Sequence, residues 1–109
     1  MKHKETPLKF KRTKLFARYS TYTNGQNAIE LYYVKDGDRY AVASVAIEIP
    51  LSNDEVAIKN YSENEGLLEM LIKAGIIATP HRFYKSAWVT IQICILLKKS
   101  HTENRWNIK

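Results

Sequence analysis

The 109-residue chain is poor in the residues that build disulfide frameworks, metal sites and phosphate-binding loops. Its single cysteine, Cys94, can form no intrachain disulfide and supplies no thiolate cluster for zinc. The four glycines stand apart, so the chain has no glycine-rich phosphate loop. None of the three histidines, His3, His81 and His101, stands at a metal-binding spacing from another ligand. The sequence therefore predicts no metal site and no cofactor.

Long apolar stretches are also lacking. The longest run, "AWVTIQICILL" at residues 87–97, is about half the length that a membrane-spanning helix requires. The first residues, "MKHKETPLKFKRTK", contain lysines that no apolar segment follows, unlike a secretory signal. A lone cysteine suits a reducing compartment. We expect a soluble, cytoplasmic protein with no membrane contact.

No cluster of acidic residues suggests catalysis. General acid–base chemistry requires carboxylates or histidines held together in a pocket. The acidic residues are assigned instead to a hairpin turn (Asp36, Asp38), a helix start (Glu63, Glu65) and an exposed loop (Asp54, Glu55). We predict no catalytic residue and no enzymatic activity.

Strand and turn signals dominate residues 15–49. Asn24-Gly25 and Asp36-Gly37 separate three stretches rich in β-branched and aromatic residues, which predicts a three-stranded antiparallel meander with a type I′ turn at Asn24-Gly25. The third stretch is apolar at both odd and even positions between residues 41 and 47, as expected of a central strand or of one covered on both faces. A short run "VAIKNY" after the next loop predicts an additional edge strand.

The segment "NYSENEGLLEMLIKAGII", residues 60–77, predicts a helix of about three turns. Ser62 and Glu65 have the spacing of a capping box, and Gly75 is placed to end the helix. Apolar residues recur at helical spacing between them: Leu67, Leu68, Leu71 and Ile72. We expect this stripe to cover the sheet, because apolar helical spacing usually marks burial.

The order of elements predicts an α+β domain, with a mostly antiparallel sheet of four or five strands packed by one main helix. The apolar segment up to residue 97 supplies the last strand, near the middle of the sheet. We assign residues 15–97 to this domain. Residues 1–14 are interpreted as a basic N-terminal arm and residues 98–109 as a basic C-terminal tail.

The formal charge of +6 is concentrated at the two ends of the chain. Residues 1–18 carry seven basic groups and one acidic group, residues 98–109 carry four and one, and the segment between them carries six and nine. Basic ends with interleaved aromatic rings suit nucleic-acid binding. The candidate contacts are Lys9, Lys11, Arg12, Lys14 and Arg18, with Arg82 and Lys85 as a secondary contact. The alternative is that the basic ends are solvated tails.

Aromatic residues suggest a second kind of partner. Seven tyrosines and two tryptophans exceed what a core with one helix readily encloses, and both residue types are enriched at protein interfaces. The candidates for an exposed interface are Tyr19, Tyr22, Tyr32, Tyr40 and Trp106. Such a face would bind a protein partner or a second copy of the chain.

The blocks "NAIELYY", "DGDRYAVASVAIEIPL" and "KNYSENEGLLEMLIKAGII" resemble a family of small bacterial proteins of unknown function from phages, plasmids and other mobile elements. The resemblance covers about residues 15–97. It implies no established activity and no catalytic residue, but it implies an accessory role in a mobile element. The leading hypothesis from the sequence is a non-enzymatic module that binds a protein partner; the alternative is nucleic-acid binding through the basic N-terminal segment.

Overall fold

The computed structural model describes residues 6–61 and 64–97, which form an α+β domain with a single short helix. The elements in chain order are β1 (Thr6–Phe10), β2 (Thr13–Thr21), β3 (Asn27–Tyr33), β4 (Arg39–Val42), β5 (Glu55–Ile58), α1 (Leu67–Lys73), β6 (Arg82–Lys85) and β7 (Thr90–Ile95). The predicted fold class is confirmed. The described strands number seven, in two sheets, whereas one sheet of four or five strands was expected.

The first sheet is antiparallel with the order β1-β2-β3-β4, so the predicted meander of β2, β3 and β4 is present. It also contains β1, which pairs along its whole length with the first part of β2. The interpretation of residues 1–14 as an arm is therefore wrong from Thr6 onward. The alternation of polar and apolar residues in "TPLKF" allows one face to be buried while the other carries charge, which is the pattern of a half-buried strand.

The loop at Asn24-Gly25 is longer than the predicted two-residue turn. The amide of Gly25 donates to the carbonyl of Tyr22, and the amide of Tyr22 donates to the carbonyl of Gln26 (both 2.8 Å), which leaves three residues in the loop. The side-chain oxygen of Asn24 accepts a hydrogen bond from the amide of Gln26 at 3.0 Å. This local bond stabilises the longer turn, as asparagine side chains commonly do.

The segment that follows β4 passes from the first sheet to the second. The amide of Ala43 donates to Ile29 of β3, and the carbonyl of Ala43 accepts from Lys59 just after β5 (both 2.8 Å). The predicted third strand therefore ends at Val42 rather than running to residue 49, and it lies at the edge of the first sheet rather than at its centre. Its apolar residues at both parities are explained by this crossing, because Ala43 and Ile47 are buried in different clusters.

The second sheet is antiparallel with the order β5-β7-β6. The central position predicted for the last strand is confirmed, since β7 pairs with both neighbours. All four residues of β5 are buried. One face of this sheet joins the main core, and the other packs against the loop of residues 45–51.

The apolar stripe of the helix faces the protein's own core, as predicted. Leu67 and Leu71 are fully buried, and Leu68 and Ile72 pack against the same cluster. That cluster joins the inner face of the first sheet, including Leu15 and Leu31, to the second sheet. At roughly 1.5–3 kcal/mol for each large apolar side chain, this burial is the main force that holds the helix in place.

The helix is two turns long rather than three, and its start differs from the prediction. Gly66 occupies the N-cap position with φ 92°, a conformation that favours glycine. The N-cap residue therefore makes no side-chain hydrogen bond to the first turn of the helix. The side chain of Asn60 accepts from the amide of Leu68 at 2.8 Å instead. Ser62, the predicted cap, lies outside the described residues. Gly75 ends the helix in a Schellman motif, as predicted, because its amide and that of Ile76 donate to the last turn.

No helix within residues 6–61 and 64–97 is long and apolar enough to cross a membrane.

Candidate nucleic-acid interface

The outer face of the first sheet, which points away from the helix, is the strongest candidate site. In β2 the inward residues Leu15 and Ala17 are fully buried, so the alternate residues point outward. The strand register places these charged and ring-bearing residues on that face: Pro7, Lys9, Lys14, Phe16, Arg18, Glu30, Tyr32 and Arg39. We call this set the outer face.

Two aromatic rings stack at the centre of the outer face. Phe16 and Tyr32 are directly opposite each other in the register, with ring centroids 5.5 Å apart and an interplanar angle of 17°. The guanidinium of Arg18 lies 5.4 Å from the Phe16 centroid and 5.0 Å from the Tyr32 centroid. Rings and guanidinium planes are the groups on which unpaired nucleic-acid bases stack.

Two lysines lie beside this stack with like charges opposed. Lys9 of β1 and Lys14 of β2 are direct partners in the register, and both are exposed. Like charges directly opposite on neighbouring strands are destabilising. The arrangement is therefore one that an anionic ligand would stabilise.

Glu30 is the one carboxylate of the outer face, and it already accepts hydrogen bonds from two neighbouring side chains. It accepts a hydrogen bond from the Tyr32 hydroxyl at 2.7 Å and from Arg39 Nη1 at 2.9 Å. The bond to Glu30 raises the pKa of the Tyr32 hydroxyl, because it stabilises the protonated phenol. Glu30 thus offsets Arg39 and fixes the Tyr32 ring, while Lys9 and Lys14 lie on the other side of the stack.

Lys11 and Arg12 form the turn at the end of the β1–β2 hairpin. The ammonium of Lys11 lies 5.0 Å from the ring centroid of Phe10, and both turn residues are exposed. All five basic residues predicted in the N-terminal segment therefore lie on one hairpin: Lys9, Lys11, Arg12, Lys14 and Arg18. The sequence prediction missed the contribution of Lys35, which the β3–β4 loop brings next to this hairpin.

The secondary contact predicted at Arg82 and Lys85 lies elsewhere. Both residues belong to β6 at the edge of the second sheet. Arg82 forms a two-point ion pair with Glu55, from Nε to Oε2 at 2.9 Å and from Nη2 to Oε1 at 2.8 Å. Its charge is offset within the protein, whereas Lys85 is exposed and lies in a different sheet from the lysines of the outer face.

Glu55 was expected in an exposed loop, and that expectation is wrong, because Glu55 begins β5 and is buried. Besides Arg82, its carboxylate contacts Nε2 of His81 at 2.6 Å and accepts from the amide of Ser52 at 2.9 Å. The hydrogen bonds from Arg82 hold the pKa of Glu55 far below its usual range. The cluster joins β5 to β6 across β7, which is a structural role.

Most of the tyrosines predicted to form a protein interface are engaged within the fold. Tyr19 and Tyr40 pack against the core, and burial raises the pKa of the Tyr19 hydroxyl, which bonds to Thr6 at 2.6 Å. The hydroxyl of Tyr22 bonds to the buried Ser44 at 2.9 Å. Only Tyr32 among those four lies on the outer face. Trp106 lies outside the described residues.

Two exposed rings on the β6–β7 hairpin were not among the predicted interface residues. Phe83 is 59% exposed and Trp88 is 91% exposed. Phe83 is on the edge strand of the second sheet, and Trp88 is in the turn that follows. The sequence places them in a ring-rich cluster with Arg82 and Lys85, for which packing within the fold is the expectation, whereas a short edge strand and its turn leave both rings exposed.

Metal ligands and the single cysteine are the remaining candidate groups. In residues 6–61 and 64–97, no group of three or more histidine, cysteine, aspartate or glutamate side chains could hold a metal ion. Cys94 is buried, and burial raises the pKa of its thiol to about 11, so it is protonated at neutral pH.

Comparison with known proteins found no match among family models, curated proteins or solved structures. The resemblance to mobile-element proteins therefore stays a prediction.

Proposed function

We propose that the protein binds single-stranded nucleic acid on the outer face of the first sheet. The observation that carries this proposal is the opposed pair Lys9 and Lys14 beside the stacked rings of Phe16 and Tyr32. The lysines supply phosphate contacts, and the rings supply faces on which bases stack. This combination provides affinity with little dependence on base sequence.

The shape of the site favours a single strand over a duplex. The outer face is a sheet surface whose rings lie at its centre, and a ring can stack on a base only when that base is unpaired. No described helix is available to enter a major groove in the usual way, since α1 has seven residues and its apolar side is buried. We infer binding to exposed bases of DNA or RNA.

The positions of the candidate residues favour nucleic-acid binding over a protein interface formed by the tyrosines. Tyr19 and Tyr40 pack against the core and are not available for a protein interface. The basic candidates Lys9, Lys14 and Arg18 share one exposed face. A protein partner remains a second candidate, because Phe83 and Trp88 are exposed on the other sheet. From the resemblance, we also propose that the protein serves as an accessory factor of a mobile element.

The test is fluorescence anisotropy of the full chain with labelled single-stranded DNA, single-stranded RNA and duplex DNA, at low and physiological salt. We expect single strands to bind more tightly than the duplex and to remain bound at physiological salt. A variant in which Lys9 and Lys14 are both glutamine should bind more weakly and with a shallower dependence on salt.

The control is Lys85→Gln, which removes one exposed lysine from the second sheet and is compared with Lys14→Gln alone as well as with the double variant. It should leave binding unchanged. The proposal is wrong if duplex and single strand bind equally, if all binding disappears at physiological salt, or if Lys85→Gln weakens binding as much as the change at Lys9 and Lys14.

A further inference from the structure

The β1–β2 turn places two bulky cations where glycine is favoured. Lys11 and Arg12 lie between the paired residues Phe10 and Thr13, with φ values of 48° and 69°. A two-residue hairpin turn with both φ values positive is type I′, for which Asn-Gly is the usual sequence. A residue with a Cβ is disfavoured in this conformation. The turn is therefore strained, and it is occupied by two charges.

Elsewhere in the described chain, residues with a positive φ are glycines, as steric preference dictates. Within residues 6–61 and 64–97, Lys11 and Arg12 are the only residues other than glycine with a positive φ. The remaining positions of that kind carry glycine: Gly25, Gly37, Gly66 and Gly75. Backbone strain of this kind concentrates at functional sites, so the exception directs attention to what the turn adjoins.

The turn borders a pocket of about 430 Å³ between the β1–β2 turn and the β3–β4 loop. Its lining residues are Arg12, Thr13, Lys14, Tyr33, Val34 and Lys35. Three cations thus come from two segments of the chain, and none of them forms an ion pair with a carboxylate of the described residues. The ammonium of Lys35 lies 5.3 Å from the centroid of the Tyr33 ring.

Two carboxylates lie near the pocket in sequence but do not line it. Asp36 and Asp38 follow Lys35 in the β3–β4 loop. The carboxylate of Asp36 accepts from the amide of Asp38 at 3.0 Å, so it helps to form the turn. The lining combines three cations with the apolar surface of Tyr33 and Val34.

The charge and size of the pocket indicate the kind of ligand. A phosphodiester within a strand carries one negative charge, whereas a terminal phosphomonoester carries about 1.5 to 2 at pH 7. Three cations in one lining suit the more highly charged group. A volume in the usual range for small-molecule sites, with an apolar wall, leaves room for the nucleoside that bears the phosphate.

The pocket is continuous with the outer face through Lys14, which lines the pocket and also stands next to Phe16 on the outward side of β2. We propose that this pocket binds the terminal phosphate of a nucleic-acid strand whose following bases lie on the outer face. The inference rests on the proposed function and adds strand-end recognition to it.

The experiment compares one short single-stranded oligonucleotide in three forms: 5′-phosphorylated, 3′-phosphorylated, and with hydroxyl groups at both ends. The fluorescent label is internal, so that both ends stay free. We expect one phosphorylated form to bind about tenfold more tightly than the hydroxyl form, as a set of charge-assisted hydrogen bonds would produce. The end that is preferred then gives the polarity of the strand on the sheet.

The variant Arg12→Gly with Lys35→Gln should lose this preference and still bind the hydroxyl form. Glycine relieves the strain at φ 69°, so the variant is expected to fold. The control Lys85→Gln should keep both the preference and the binding. Equal enhancement by both phosphorylated ends that persists in the double variant would contradict the inference, since it would indicate general charge attraction.

Failure of the inference is distinguishable from failure of the proposed function. If the hydroxyl form binds and neither phosphate improves binding, only strand-end recognition is overturned. If no form binds at physiological salt, the proposed function fails and the inference fails with it. Inorganic phosphate is added as a competitor; loss of the preference at phosphate concentrations comparable to those of the strand would overturn the inference, because it would indicate a site for free phosphate.

Discussion

The two sheets use positively charged residues in opposite ways. On β6, Arg82 makes two hydrogen bonds to the buried carboxylate of Glu55, and the pair helps to hold the second sheet together. On the β1–β2 hairpin, Lys9 and Lys14 oppose each other with no carboxylate between them, and Lys11 and Arg12 occupy a strained turn. The first arrangement satisfies its charges internally, whereas the second does not.

This difference separates structural charges from candidate functional charges more clearly than net charge does. A sequence that is locally consistent with its fold avoids opposed like charges and side chains in left-handed turns, and proteins break such rules mainly at functional sites. The β1–β2 hairpin breaks both rules within six residues, from Lys9 to Lys14. If this difference is functional, changes to charged residues should affect stability in the second sheet and nucleic-acid binding in the first.

The largest effect on stability is expected at Glu55. Glu55→Gln removes the charge that Arg82 and His81 contact, at a buried position, and should lower the free energy of unfolding by about 2 kcal/mol. The control Glu48→Gln, at an exposed position, should change it by about 0.5 kcal/mol or less. Urea denaturation measures both. Equal effects would mean that the buried cluster does not stabilise the second sheet.

The pH dependence of stability tests whether the charge of Glu55 stabilises the second sheet. The contacts of Arg82, His81 and the Ser52 amide lower the pKa of Glu55 in the folded state, so the unfolded chain binds a proton more readily. Their stabilising contribution is fully present above the unfolded glutamate pKa of about 4.3 and is lost progressively as the pH falls below it.

Denaturation curves between neutral and strongly acidic pH should therefore bring the wild type and Glu55→Gln closer together as the pH falls. The difference between them is the quantity to follow, because other carboxylates titrate in both proteins. A difference that stays constant down to acidic pH would show that Glu55 is not the group whose charge stabilises the fold.

For binding, the largest effect is expected from the stacked rings. Phe16→Ala removes one partner of the Phe16–Tyr32 stack and should weaken binding of single strands by about tenfold, since base stacking on a ring contributes roughly 1–3 kcal/mol. The matched change Phe83→Ala removes an exposed ring from the second sheet and should have little effect on nucleic acid. If Phe83→Ala is the more harmful change, the interface lies on the other sheet.

The comparison also explains what the sequence could and could not predict. Local signals identified the α+β class, the meander, the apolar stripe of the helix and the ending at Gly75, because turn residues and periodicity report local structure directly. The strand β1 was missed, since "TPLKF" is short and alternates lysine with apolar residues, which also suits a solvated arm. Its pairing with β2 depends on a two-residue turn formed by Lys11 and Arg12, which carry no turn signal.

The candidate site was predicted in part for a similar reason. The five basic residues of the N-terminal segment were identified by composition, but the sheet register decides that Lys9, Lys14 and Arg18 share a face with Phe16 and Tyr32. The roles of Arg82 and Glu55 could not be read from the sequence, because the two residues are 27 positions apart and meet only through the pairing of β5 and β6 with β7.

A smaller effect is expected from relieving the strain in the β1–β2 turn. Changing Lys11 to Asn and Arg12 to Gly supplies the residues that a type I′ turn favours and should raise the free energy of unfolding by about 1 kcal/mol. In urea, the midpoint should move upward with an unchanged slope. A variant no more stable than the wild type would mean that the two cations occupy the turn without strain, and the argument from strain to function would fail.

The smallest expected effect is on the salt dependence of binding, when one lysine is removed from either sheet. Lys14→Gln should reduce the steepness of the salt dependence of single-strand binding by about 0.7 in log–log slope, as expected for one lost phosphate contact. Lys85→Gln changes the net charge by the same amount on the other sheet and should leave the slope unchanged. Because the two variants have equal net charge, a difference in slope can come only from where the lysine lies. Equal slopes would mean that the protein attracts nucleic acid through its overall charge, and the opposed lysines of the outer face would then have no special part in binding.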